Sequence, residues 1–411
     1  MLDDALRGTK VLDLSRILAG PWCAQNLADL GADVIKVEKV AGGDDTRGWG
    51  PPYVAGTDPG DGFSAYFVAC NRGKRSIAVD FSTPQGRDLI RRLAADADVV
   101  VENYRAGTLE RHGLGYADLA AENPGLVFVS ITGFGPTGPM AGKPGYDYVF
   151  QGMGGLMSYT GRPDGEPGAG PIRTGVAVVD VMTGMYATTA VLAALVKRAA
   201  TGLGQQVDVA LLDVAVALNA NQAANYLVSG RPPERIGTAH PNCAPYDVFA
   251  CSDGHLILAI GNDGQFARFC AAAGLDGLAA DPRFATNSAR LRNIGALRPV
   301  VAEVMLGRTR ADWARTLDDA GVPWGPINDL AEVFADEQVV HRSMLVDTQH
   351  PVAGTIPVVR NPLVQSGPNP LPPPGVGEHT RQVLTETGLT DEQIEHLIRE
   401  GVIGATLEDR A

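Results

Sequence analysis

The chain has 411 residues, 45% of them hydrophobic, and its 34 Lys+Arg against 47 Asp+Glu leave a formal net charge of -13. At roughly 150 residues per domain, that length exceeds one ordinary core and implies two or three units. The acidic balance argues against nucleic-acid and anionic-membrane partners while permitting a local basic pocket for a phosphorylated ligand, and five scattered cysteines without CxxC spacing suggest neither a disulfide framework nor a zinc site.

The acidic start Met1-Leu2-Asp3-Asp4 lacks the basic-then-apolar pattern of an export signal, so a reducing cytoplasm is the expected location. Residues 10–14 read as a buried strand, 21–30 as a helix with Pro21 in its first turn, and 32–38 as a second strand, a βαβ unit. A strand over 76–81, a helix capped by Ser82-Thr83-Pro84 and reaching Ala97, and strands over 98–102 and 126–132 continue the alternation. That pattern predicts a parallel sheet covered on both faces. The first turn, residues 15–21, carries no GxGxxG, which weakens a dehydrogenase reading, although a helix N-terminus there can still receive a phosphate.

Asp180 ends the apolar run 172–179 and opens a helical segment reaching about Ala200. An acid at a helix start meets unpaired amides and the positive end of the dipole, so its ionised form is expected to be favoured near neutral pH; the plainer reading is a simple N-cap. The apolar stretch 181–196, broken by Thr and Gly and short of about 20 residues, reads as a buried core helix rather than a membrane span. A turn at 201–204, a strand over 205–212 and a helix over 214–228 follow, and Arg231-Pro232-Pro233 marks a boundary. Beyond it, a strand pair (246–250, 255–260) followed by helices suggests a smaller domain. A strand over 354–359 and a last helix opening on the capping box Thr390-Asp391-Glu392-Gln393 close the chain.

No HExxH, GxSxG, Walker A or EF-hand string occurs, and the seven histidines show no metal-ligand spacing, so metal catalysis is not expected. Carboxylates, tyrosines and basic residues near strand ends remain, above all Gly145-Tyr146-Asp147-Tyr148 and Asp180.

The ordered strings Val11-Leu12-Asp13-Leu14, Ala19-Gly20-Pro21, Gly31-Ala32-Asp33-Val34-Ile35-Lys36-Val37-Glu38, Asn71-Arg72-Gly73-Lys74-Arg75-Ser76, Val101-Glu102-Asn103-Tyr104 and Gly145-Tyr146-Asp147, with matches at 175–184, 201–205 and 325–328, give the chain a likeness. It resembles the family III CoA-transferases, the formyl-CoA transferase and carnitine CoA-transferase group, over about residues 8–405. The resemblance implies a Rossmann-like parallel-sheet α/β domain with a smaller inserted α+β domain, in an interlocked homodimer. The implied boundaries are 1–215 for the first part of the large domain, 216–235 for a linker, 236–325 for the small domain, and 326–411 for a linker and the return to the large domain. It also implies that Asp180 is a covalent nucleophile forming an aspartyl anhydride and then an aspartyl-CoA thioester, with coenzyme A as a co-substrate, acyl-CoA and carboxylic acid substrates, and no permanently bound cofactor.

By the same resemblance Tyr146 and Asp147 position the reactants, and Ile17, Leu18, Ala19, Lys39, Lys74, Asn103, Tyr104 and Arg111 hold CoA. Leu18 stands where formyl-CoA transferases have a glutamine, and Lys39 where they have an arginine. The α-methylacyl-CoA racemases share these motifs but carry a His where this chain has Tyr146; a tyrosine of ordinary pKa near 10 is a poor second base, so transfer is favoured over the alternative, racemisation or epimerisation. The glycine-rich lid of formyl-CoA transferase is replaced by residues 237–242, which disfavours oxalate. The chain looks nearer the branch exchanging CoA between succinyl-CoA and C4–C6 dicarboxylates, with Arg47, Arg173 and His240 as candidates for the distal carboxylate.

Overall fold

The computed structural model describes residues 2–364 and 371–404. They form two compact units, one from the described residues within 2–155, 174–220, 337–364 and 371–404, the other from 156–173 and 221–336. The smaller unit therefore also takes residues 156–173, a stretch expected in the large domain.

The larger unit is built on six parallel strands, β1 (Lys10–Asp13), β2 (Asp33–Glu38), β3 (Lys74–Ala78), β4 (Val99–Glu102), β5 (Val127–Thr132) and β6 (Gln205–Ala210), in the order β3-β2-β1-β4-β5-β6. Helices cover both faces, which is why β1, β4 and β5 in the middle of the sheet are nearly continuous apolar runs, while the edge strands β3 and β6 carry polar residues. On one face Leu12, Val100 and Phe128 meet Leu89, Ile90 and Leu93 of the helix Pro84–Ala95 and Ile394 and Leu397 of the helix Asp391–Arg399. On the other, Val99, Val101 and Val129 meet Cys23, Ala24 and Leu27 of the helix Ala19–Asp29 and Ala187, Val191 and Ala194 of the helix Val178–Thr201. Strand order reverses between β1 and β4, and in such sheets ligands bind in the crevice beyond the carboxyl ends at that reversal.

The helix Val178–Thr201 has 24 residues, longer than the apolar stretch suggested, and by length and composition it could cross a membrane. Here a stripe from Val179 through Thr183, Gly184 and Ala187 to Ala194 is buried. A Cβ at Gly184 would lie 2.7 Å from the Ala19 carbonyl oxygen and 2.9 Å from Trp22 Cβ, so glycine lets this helix approach the first one closely. That contact carries Asp180 toward the loop after β1.

Several elements depart from expectation. β3 begins two residues earlier, at Lys74, and β6 ends at Ala210, where the chain turns directly into the helix Leu211–Leu218. The single helix expected over 214–228 is two, parted where Asn219 donates to the Gly154 carbonyl at 2.7 Å and Ala220 adopts φ 39°. A strand at Leu345–His350 pairs antiparallel with Gly354–Val359; it escaped notice because its inward side chains, Thr348 and His350, are polar. In the smaller unit the expected strand pair, Tyr246–Cys251 and Gly254–Ala259, gains a third antiparallel strand, Trp324–Pro326, over a core of Phe249, Leu258, Phe266, Phe269 and Trp313.

Candidate active site

A cleft of about 470 Å³ opens beyond the carboxyl ends of β1, β4 and β5. Its walls are the loops following those strands, residues 16–19, 103–106 and 131–135, together with 142–146, and Asp180 lies in its lining. The first two loops are tied across the reversal point: the Arg16 amide donates to Asn103 Oδ1 at 2.8 Å, and Asn103 Nδ2 donates back to the Arg16 carbonyl at 2.6 Å. Ile17 is held at φ 73°, a left-handed conformation costly for a β-branched residue; its amide points at the Asp44 carboxylate, 3.3 Å away. Gly20 follows because a Cβ there would sit 2.2 Å from Ser15 Cβ. A second cleft, of about 440 Å³, shares Arg16 and Tyr104 with the first and extends past Lys39 and residues 79–82. The Arg16 guanidinium lies 5.1 Å over the Tyr104 ring at this shared wall.

Asp180 is not the cap of its helix. It sits in the first turn, after an uncapped Ala177, and the free amides of Val179 and Asp180 donate to Asp147 Oδ1 at 2.7 and 3.2 Å. Asp147 therefore occupies the anion position at the helix start that the sequence assigns to Asp180. The Asp180 carboxylate accepts no hydrogen bond among the described residues, and the residue is only 9% exposed. Burial first, and the Asp147 charge second, push its pKa up to about 7. The expectation of a carboxylate kept ionised by the helix dipole is thus reversed, because that dipole is already satisfied. Tyr146 is 64% exposed and lines the cleft, and the half-buried Tyr66 phenol is pushed up to about 12 by burial and then by the negative charge of Asp180.

The cleft brings Ile17, Leu18, Ala19, Asn103, Tyr104, Tyr146 and Asp180 together. Lys39 lines the second cleft and leans on Asp45 at 2.5 Å. Arg111 is exposed, donates to Thr108 Oγ1, and lines neither cleft. Two expected ligand cations need correction. Lys74 is wholly buried, and its three protons go to Asp13 Oδ2, Asn71 Oδ1 and the Pro21 carbonyl, each at 2.9 Å. Arg47 is 2% exposed, grips Glu38 in bidentate fashion at 2.6 and 2.7 Å, donates to the carbonyls of Gly62 and Pro374, and stacks on Phe67. Neither charge is presented to a ligand. His240 and Arg173 belong to the smaller unit, where the His240 ring stacks on Tyr246 and its Nδ1 accepts from the Asn242 amide.

Sequence reasoning passed over three cations that line the main cleft, Arg16, Arg105 and Lys143. Their signal was position: Arg16 and Arg105 follow strands meeting at the reversal point, and Lys143 stands three residues before Tyr146 between Gly142 and Pro144. Cations lining one cleft with a buried carboxylate suit an anionic ligand carrying an electrophilic carbonyl.

Residues 6–380 match the model of CoA-transferase family III. The chain is 50% identical over 385 residues, 93% of its own length and 95% of the relative's, to a succinate–glutarate CoA-transferase of Agrobacterium fabrum. It is 42% identical over 403 residues, 97% of its own length and 90% of the relative's, to a succinyl-CoA:glutarate CoA-transferase of Mus musculus. A crystal structure of a CAIB/BAIF family protein from Brucella suis superposes with a TM-score of 0.81 at 49% identity, covering 94% of this chain and all of that one. The chain belongs to CoA-transferase family III and is an enzyme of the CoA-transferase type.

Proposed function

We propose that the enzyme moves CoA from succinyl-CoA to a C4–C6 dicarboxylate, with Asp180 as the nucleophile. The observation that carries this reading is the Asp180 carboxylate itself: buried in the cleft, relieved of capping duty by Asp147, and free of hydrogen bonds from described residues. A carboxylate of raised basicity is a stronger nucleophile once ionised. It attacks the thioester carbonyl, the C–S bond breaks, and CoA thiolate leaves an aspartyl mixed anhydride. The thiolate adds to the aspartyl carbonyl, giving an aspartyl-CoA thioester and free succinate. The acceptor carboxylate then displaces the thiolate to form a second anhydride, and thiolate attack on the acceptor's acyl carbonyl yields the new thioester and regenerates Asp180. Burial shields both anhydrides from water. The dicarboxylate preference is supported by the names of the relatives in Agrobacterium fabrum and Mus musculus.

Arg16, Arg105 and Lys143, with Lys39 in the adjoining cleft, are the cations this reading assigns to the CoA phosphates; Arg16 and Lys39 share Asp45 in solvent-exposed pairs, whereas Lys74 and Arg47 are left out because they are buried with their protons engaged. Arg16→Ala and Lys143→Ala are each expected to raise KM for succinyl-CoA about tenfold while kcat stays within about threefold, as for binding shared by ground and transition states. Racemisation is disfavoured because Tyr146 stands where a second base is needed. Two copies are proposed to interlock in the cytoplasm, where the exposed Val149, Met153, Val196 and Val216 supply apolar surface to cover.

The test is to quench turnover of succinyl-CoA with hydroxylamine and map the adduct by mass spectrometry, with a panel of acids offered as acceptors. A hydroxamate at Asp180 and transfer to dicarboxylates are expected; labelling elsewhere sinks the nucleophile, and acceptance of monocarboxylates alone sinks the specificity.

A further inference from the structure

We propose that Gln151 is a positioning residue for the reaction: it holds the Asp147 carboxylate on the first-turn amides of Val179 and Asp180 in the Val178–Thr201 helix, so that Asp180 stays unbonded and turned to the cleft. This rests on the reading of Asp180 as nucleophile.

Gln151 is fully buried and uses both ends of its amide. Its Nε2 donates to Asp147 Oδ2 at 2.6 Å, one turn earlier on the helix Asp147–Met153, and also reaches the Val176 carbonyl at 3.5 Å. Its Oε1 accepts from the amide of Thr174 at 3.0 Å and from that residue's hydroxyl at 3.3 Å. Residues 174–176 lead directly into the helix bearing Asp180. One side chain thus bolts the carboxylate that caps this helix to the segment that feeds it. The donor end must face a carboxylate and the acceptor end an N–H, so the amide has one satisfied orientation.

Without the Nε2 donor, Asp147 Oδ2 would be a buried oxygen short of a partner. The carboxylate would then turn to recover one, uncovering the amides of Val179 and Asp180. The nearest remaining first-turn acid is Asp180 itself. A nucleophile bonded to its own helix start is both misaimed and less basic.

Two near-isosteric variants separate this from a packing role. Gln151→Leu removes both amide functions; it is expected to lower kcat tenfold or more, leave KM for succinyl-CoA within about threefold, and shift the acid limb of kcat/KM downward by about half a pH unit or more. Gln151→Glu keeps the acceptor for Thr174 but loses the Nε2 donor, and should shift that limb downward as well, whereas an added carboxylate acting through its charge alone would shift it upward. The charged and titratable groups around Asp180 are Asp147 from its neighbouring helix, the Tyr66 phenol from the helix Ala65–Asn71, and Arg16, Asp45, Tyr104, Arg105, Lys143 and Tyr146 lining the cleft. None of these is altered by either variant. Limbs that stay where the wild-type limb lies, in variants whose Asp180 is still trapped by hydroxylamine, would overturn the role of Gln151 and leave the nucleophile standing. A wild-type enzyme not labelled at Asp180 would overturn both. Should Gln151→Leu fail to fold, the direction of the Gln151→Glu shift decides.

Discussion

Replacing Asp180 with asparagine is expected to abolish CoA transfer and, at pH 8, to make the protein more stable. Loss of the attacking oxygen should cost on the order of 10⁴-fold or more in kcat, because no second nucleophile shares the step. The gain in stability follows from the same carboxyl group. Unfolded, it ionises at an ordinary 3.8; folded, burial and then the Asp147 charge raise it to about 7. Below pH 4 both states hold the proton and the folded protein carries no penalty. As pH rises from about 4 to about 7 the unfolded chain releases the proton first, so stability is lost across that window and the full penalty stands above it. About three pKa units set an upper bound of about 4 kcal/mol, and relaxation of the site should leave ~1–3 kcal/mol. The Asp180→Asn protein escapes this penalty. Urea unfolding of both proteins at pH 5 and pH 8 should show a gap that widens with pH, and kcat/KM of the wild type should climb through about pH 7. A gap that stays flat would mean that the carboxyl is not strained in the folded state.

On the proposed role of Asp180 stability is traded for reactivity, as is common at active sites, and the local sequence carries no sign of that trade. Motif strings single out Asp180 and the Tyr146-Asp147 pair, because short runs around strand ends and helix starts are readable as sequence. Position at a helix start gives Asp180 the wrong sign of pKa shift, since burial, which raises it most, and the neighbouring Asp147, 33 residues away along the chain, are both set by the fold. The sheet was readable for a related reason. Parallel strands buried on both faces announce themselves as apolar runs, and β1, β2, β4 and β5 were all expected near their actual ends. The strand Leu345–His350 hid its inward face behind Thr348 and His350. Arg16, Arg105 and Lys143 carry no local mark distinguishing them from solvated surface charges until the fold gathers their loops around one cleft.

The charged residues inside the apolar strings were the most misleading, and Lys74 offers the sharpest test of their reassignment. Asp13, Lys36, Glu38, Asp44, Arg47 and Lys74 are all buried, and they pair among themselves as Lys74–Asp13, Lys36–Asp44 and Arg47–Glu38. The network supports the loop after β1 from beneath: Lys36 Nζ donates to the Ser15 carbonyl at 3.0 Å, and the Asp44 carboxylate receives the strained Ile17 amide. Asp13 also accepts from the Ser15 amide at 3.0 Å and from its hydroxyl. Burial works against ionising Asp13, yet Lys74 and Lys36 beside it hold its carboxyl below the usual range. Lys74→Met removes one partner and strands that charge, which typically costs about 3–5 kcal/mol. A large fall in thermal midpoint is therefore expected, with KM for succinyl-CoA in the folded fraction within about threefold of the wild type. A lysine gripping a CoA phosphate predicts the reverse, a KM raised tenfold or more at unchanged stability. The double variant Asp13→Asn with Lys74→Met should recover most of the lost stability, because asparagine can still accept from Ser15 and leaves no unpaired charge behind. If the double variant is no more stable than Lys74→Met alone, burial of an unmatched Asp13 is not what the single change exposes, and Lys74 must be supporting β3 by another route.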